Sequence, residues 1–257
     1  MSGSTLAECA LCRTTAALRR SHVIPEFMYA AVYDEGHSFL VTSTDPTDRP
    51  AVRQRGLWEY LLCGTCEGRF SGWEDYAKRV LAGQDVVVTR DGESLLVRPV
   101  DYPRFKLFQL SLLWRSGVTS RPEFAAVDLG RHQEALRQML LAGNPGRVQD
   151  FGCSVVFPPD PEAQELFRHA VGTATVGRYK AHHVYRFVLG MLSWVFIVSG
   201  HMRELPSSLF SLTDDGTLRV RNGGQPTMGY LAGVASELAT AAETREGAFA
   251  RRRRTTR

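Results

Sequence analysis

Cys9-Ala10-Leu11-Cys12 and Cys63-Gly64-Thr65-Cys66 are the two stretches on which the reading of this chain turns. Each Cys-x-x-Cys turn aims two sulfurs at one point, and two such turns complete a tetrahedral four-thiolate site. Cys9, Cys12, Cys63 and Cys66 are therefore read as the ligands of one structural zinc. The fifth cysteine, Cys153, stands alone in the apolar run Phe151-Gly-Cys-Ser-Val-Val-Phe157 and reads as a small core hydrophobe.

Working outward from the turns, Val23-Ile24 has strand character that Pro25 ends, and Glu26 to Tyr33 suits a helix. Residues 34 to 55 form a polar loop punctuated by Pro46 and Pro50, with a short strand at Phe39 to Thr42. After Cys66, the spacing of Phe70, Trp73, Ala77, Val80 and Leu81 predicts one face of a helix, with Ser71 and Glu74 as the capping box at its start. A turn near the N-terminus and a second turn leading into a helix is the layout of a treble-clef module. Such a module is too small to hold a core of its own and folds on its metal.

Beyond Leu81 the pattern changes. Asp85 to Arg98 predicts a hairpin about Asp91-Gly92. Pro103 opens a strongly apolar helix over 104–115 that ends at Gly117, and a second helix runs from Arg131 to Ala142 and stops at Gly143. Phe151 to Phe157 reads as a buried strand, and Asp160-Pro161 as the start of a third helix. Val184 to Val198 reads as a strand, a strand pair bending near Gly190, or a buried helix. Ser211 to Val220 has hairpin punctuation, and residues 230 to 247 suit a weak terminal helix. The fold class expected is α+β: an N-terminal zinc module over 1–81, a larger mixed α+β domain over 82–229, and a helix with a basic tail over 230–257.

The formal charge of +4 belongs to the tail, because five arginines fall in the last seven residues and leave the remainder at a net of −1. Residues 1 to 80 hold nine Lys/Arg and ten Asp/Glu, so the zinc-bearing segment has no overall positive field to draw in phosphates. The N-terminus has neither a basic leader nor an apolar signal core, and paired Cys-x-x-Cys turns suit a reducing compartment, so a cytoplasmic protein is expected. The most apolar segment, Val184 to Gly200, is interrupted by Arg186 and falls short of the roughly 20 residues that cross a bilayer, so no membrane partner is expected. The sequence sets no oligomeric state.

The order Cys-x-x-Cys, Ser21-His22-Val-Ile-Pro25, Leu61-Leu-Cys-x-x-Cys-Glu67 resembles the HNH (His-Asn-His) endonuclease superfamily in its zinc-containing form, over residues 9 to about 80. The resemblance implies a ββα-metal-like unit in which His22 activates water against a phosphodiester, and a divalent ion, magnesium or manganese, at the scissile phosphate of DNA or another nucleic acid. Three positions depart from the family pattern. Ser21 stands where a His or Asp usually ligates that ion, Trp58 and Glu59 stand where an Asn orients the base, and the closing His is missing. Glu67, directly after Cys66, is the candidate to supply an oxygen ligand in its place. These departures also suit a different class of protein, a catalytically inactive zinc scaffold that binds nucleic acid or protein. His182-His183 is no second metal site, since neighbours in a strand point to opposite faces.

Overall fold

The computed structural model describes residues 6–42, 51–157, 168, 170–179, 181–200 and 205–222. The helix expected from Asp160, the terminal helix over 230–247, the arginine tail, His169 and His201 lie outside the described residues. The architecture is mixed α+β. Leu6–Glu8 (β1), Thr15–His22 (β2) and Trp58–Cys63 (β5) form a three-stranded antiparallel sheet in the order β1-β2-β5. Gly64–Leu81 (α2) follows β5 directly.

The larger sheet has nine strands. Phe39–Thr42 (β3), Ala51–Arg53 (β4), Val87–Asp91 (β6), Ser94–Arg98 (β7), Cys153–Phe157 (β8), Ala170–Tyr179 (β9), His182–Leu189 (β10), Leu192–Val198 (β11) and Leu218–Asn222 (β12) lie in the order β4-β3-β9-β10-β11-β8-β12-β7-β6. Two pairings are parallel, β3 with β9 and β12 with β8, and the others are antiparallel. Thus the loop between the two cysteine turns contributes β3 and β4 to the large sheet. His182 is buried and His183 exposed on β10, on opposite faces as expected.

The hairpin expected at Asp91-Gly92 forms, with Gly92 at φ 57°. Of the readings open for Val184 to Val198 the strand pair is the one adopted, turning at Gly190-Met191 where Leu189 pairs with Leu192, and in Ser211 to Val220 an antiparallel bridge joins Leu212 and Leu218. Tyr102–Val118 (α3) is the apolar helix, buried at every position from Phe105 to Ser116. It starts one residue earlier than Pro103, because Asp101 is the N-cap and accepts a hydrogen bond from the Arg104 amide at 3.0 Å. Gly117 is no terminator: it lies inside α3, where an added Cβ would sit 2.3 Å from Leu129. His132–Ala142 (α4) ends at Gly143, in the left-handed conformation that favours glycine.

The sequence misplaces three elements near the cysteines. Strand β2 ends at His22 and precedes Val23-Ile24, which are buried beyond it. Helix Glu26–Ala30 (α1) is shorter than the apolar pattern suggests. Helix α2 begins at Gly64 with Cys63 as its N-cap, so Ser71 and Glu74 lie in its interior. Gly68 and Gly72 are helical there, and a Cβ added at either would meet nothing within 4 Å. Gly68→Ala and Gly72→Ala are each expected to stabilise the protein by about 0.5–1 kcal/mol, read as a rise in melting temperature.

One hydrophobic cluster runs from Cys9 and Leu11 through α2 and α3 to Val220. Helix α3 is its hinge: Trp114 meets Phe70 of α2 edge-on, with ring centroids 6.0 Å apart, and Phe108 meets Trp194 of β11 at 5.9 Å. Among the described residues no helix is long and apolar enough to cross a membrane.

Candidate metal centre and the adjoining His22 cleft

Residues 9 to 14 form the connection between β1 and β2, and the backbone folds them into a tight knuckle. The Cys9 amide donates to the Thr14 carbonyl at 3.0 Å, the Arg13 amide to the Cys9 carbonyl at 2.8 Å, and Arg13 takes a positive φ of 61°. The Ala10 amide donates to the Leu61 carbonyl at 3.0 Å, which sets the knuckle against β5. Helix α4 holds it from outside: Arg137 donates to the Leu11 carbonyl, and Arg13 pairs with Glu134 at 2.6 Å. Hydrogen bonds from Arg137 and then Gln138 hold the Glu134 carboxyl down to about 2.

The second pair sits where β5 becomes α2. Cys63 is the N-cap and Cys66 lies in the first turn, so the positive end of the helix dipole stands beside the sulfurs. The Cys63 amide donates to Cys9 Sγ at 3.3 Å. All four Sγ atoms lie within 4.8 Å of one another, and Cys12 and Cys63 are 3.8 Å apart. That geometry fits a metal ion: a Zn–S bond of roughly 2.3 Å puts tetrahedral sulfurs about 3.8 Å apart. Burial raises the Cys9 and Cys66 thiols, whereas the Thr14 hydroxyl bond holds Cys12 down to about 6. Cys153 is not part of this cluster; it is buried in β8 with its thiol pushed up by burial.

His22, the last residue of β2, faces Trp58 across the β2–β5 ladder. Its Nε2 lies 3.1 Å from Glu26 Oε2, a partner that sequence reasoning missed. Burial lowers the His22 pKa, against the opposing charges of Glu26 and Glu74. Gly56 makes the pairing possible, since a Cβ there would come within 2.7 Å of Glu26 Oε2 and 2.8 Å of the Tyr29 ring. His22 and Glu26, together with Arg20, Tyr33, His37, Arg55 and Trp58, line a cavity of about 320 Å³.

Glu67 lies in the first turn of α2, and the Ser21 hydroxyl donates to its Oε2 at 2.6 Å. The Leu62 amide in turn donates to Ser21 Oγ at 3.2 Å. Burial raises the Glu67 pKa, offset by the Ser21 bond. Neither this residue nor Ser21 lines the His22 cavity. Glu74 does not cap a helix: its Oε1 pairs with Arg115 Nη1 at 2.7 Å, and the same nitrogen donates to the His22 carbonyl at 2.7 Å. Glu59 is committed elsewhere, accepting from Thr119 Oγ1 at 2.5 Å and Ser120 Oγ at 2.6 Å. Among the described residues, the four cysteines are the one group of three or more His, Cys, Asp or Glu side chains close enough to hold a metal. No protein-family model, curated protein or solved structure matches the chain.

Proposed function

We propose that the four cysteines hold zinc in a treble-clef unit, and that the chain is an HNH-like, metal-dependent endonuclease acting on DNA. The zinc assignment is supported by the all-thiolate donor set and the 3.8 Å sulfur spacing. The nuclease reading is carried by one observation: a half-buried imidazole whose pKa is lowered by burial stands in a cleft with a carboxylate partner and two arginines. A neutral imidazole at pH 7 accepts a proton, so His22 is the general base for attack of water on a phosphodiester. With Nε2–H directed at Glu26, Nδ1 carries the lone pair that takes the proton, and Glu26 fixes the ring and stabilises the imidazolium. Arg20 and Arg55 supply positive charge for a phosphate at the cavity rim.

Magnesium takes most of its shell from water and phosphate oxygens and needs only one or two protein carboxylates. Glu67, directly after Cys66, is the carboxylate that would stand in for the family ligand replaced by Ser21. Its engagement with Ser21, and the commitment of Glu59 to the Thr119-Ser120 loop, favour the second reading, a zinc-stabilised scaffold that binds nucleic acid or protein without cleaving it.

Incubation with plasmid and single-stranded substrates in magnesium or manganese separates the two. Under the nuclease reading, His22→Ala lowers cleavage by about 10²–10⁴-fold. The acid limb of kcat/KM then lies below the ordinary histidine value of 6.5, because burial depresses the base. Cleavage that survives the substitution removes His22 from the mechanism, and no cleavage on any substrate selects the scaffold.

A further inference from the structure

Two planar side-chain pairs line the His22 cleft. Arg20 lies two residues before His22 on β2, and its guanidinium stands over the Trp58 ring, 4.6 Å from the centroid. Trp58 is half-buried on β5, with Tyr60 edge-on at 5.6 Å. Another part of the lining is a second planar pair, Tyr33 stacked on His37 at 3.9 Å and 13°. His37 is exposed and held at a positive φ of 53°, with its amide donating to the Asp34 carbonyl at 2.9 Å. The cavity between these shelves is about 320 Å³, and Arg55 and His22 also line it.

This is a small concave site with two π-faced walls, set in a segment without net positive charge. Duplex binding draws on several basic contacts spread along the phosphates of a continuous surface. The faces of a base inside a duplex are covered by its neighbours and cannot meet an aromatic shelf. An unpaired base offers a face, and stacking on aromatic rings or on an arginine plane is the means by which single strands are held. We propose that the cleft binds single-stranded nucleic acid, with one base against the Arg20–Trp58 shelf and the adjoining phosphate met by Arg55, beside His22. The proposal rests on the nucleic-acid reading of this site and adds the strand form it takes.

The test is fluorescence anisotropy with a labelled mixed-sequence oligonucleotide and its duplex, at fixed salt, without added magnesium or manganese, on the metal-loaded full chain. The single strand is expected to bind at least about tenfold tighter than the duplex. Trp58→Ala should weaken single-strand binding by roughly tenfold, while Trp58→Phe keeps most of it. Arg20 is exposed, so Arg20→Glu tests the same shelf without touching the core, and should erase the strand preference. Arg90→Glu, on the exposed strand β6, should leave the preference intact.

Equal affinity for both forms, or single-strand affinity unmoved by Trp58→Ala and Arg20→Glu, overturns the proposal. Single-strand binding with no cleavage in any metal sustains it and removes the nuclease reading. Cleavage of duplex with no strand preference does the reverse. Absence of binding to either form overturns the proposal, and the cleavage assay in magnesium or manganese then decides the nuclease reading by itself.

Discussion

Cys63→Ser is expected to release the bound metal and unfold the three-stranded sheet with α2. Cys63 stands where β5 becomes α2, and a serine there keeps the backbone amide and the cap position but removes one of the four thiolates. Zinc binding by comparable four-ligand units supplies roughly 10–16 kcal/mol of apparent folding free energy. A whole domain is stable by only about 5–15 kcal/mol, so losing one thiolate exceeds what the rest of the unit can offset. Elemental analysis should give one zinc per chain for the parent protein and none for the variant, with the loss of ordered structure read by circular dichroism. Cys153→Ser, outside the cluster in β8, should leave the metal content unchanged. A folded, metal-free parent protein would falsify the metal assignment outright.

The second large effect is expected at Arg115. Its side chain is 1 % exposed and joins three elements: Glu74 of α2 by an ion pair, the His22 carbonyl at the end of β2, and the Ser111 carbonyl of its own helix at 3.3 Å. Its guanidinium also lies 5.3 Å from the Phe70 ring centroid. Arg115→Met keeps much of the packing but leaves Glu74 and a backbone carbonyl without their partner. Removing one member of a buried pair costs about 3–5 kcal/mol, because the remaining charge is uncompensated. Thermal or denaturant unfolding of Arg115→Met should show that loss. The double variant with Glu74→Gln should recover part of it, since no orphan charge remains. Equal stabilities of the single and double variants would deny the coupling.

The cysteine quartet was legible because its signal is local and chemical: spacing alone aims the sulfurs. The hairpin at Asp91-Gly92 and the helix stop at Gly143 were legible for a similar reason, since each turns on a residue suited to an unusual backbone angle, whereas the apolar pattern around Gly190 left a strand, a strand pair and a buried helix open. Strand β2 was not. Within Thr15–His22 only Leu18 and Ser21 are buried, so no apolar alternation marks it as a strand. The start of α2 was obscured by three glycines, whose intrinsic cost is overridden by the cysteine turn in front and by Phe70, Ala77 and Val80 buried behind.

Around His22, which the sequence singled out only by resemblance, the neighbours in the cleft were not legible. Glu26 reaches it only because the chain turns at Pro25 and Gly56 leaves room, and neither condition is written in a periodicity. The i,i+4 spacing was the signal available, masked by the strand that ends between the two residues. Glu74 read as a cap because Arg115, its partner, comes from a helix whose apolar content hid the one arginine it buries.

The parallel pairing of β3 with β9 bears on how this chain reaches its native state. Leu40 aligns with Ala170, so residues far apart in sequence must meet before either strand has a partner there. Likewise β12 returns to lie parallel to β8, with Val220 against Val155. Pairings of such separation carry a loop-closure entropy that is lost before the contact forms, which slows their formation. A metal held by the four cysteines would work in the opposite sense, since joining Cys63 and Cys66 to the knuckle at Cys9 and Cys12 closes the loop from which β3 emerges. Metal availability during synthesis is thereby expected to set the rate at which the large sheet is completed, and refolding monitored with and without zinc should differ in rate as well as in yield.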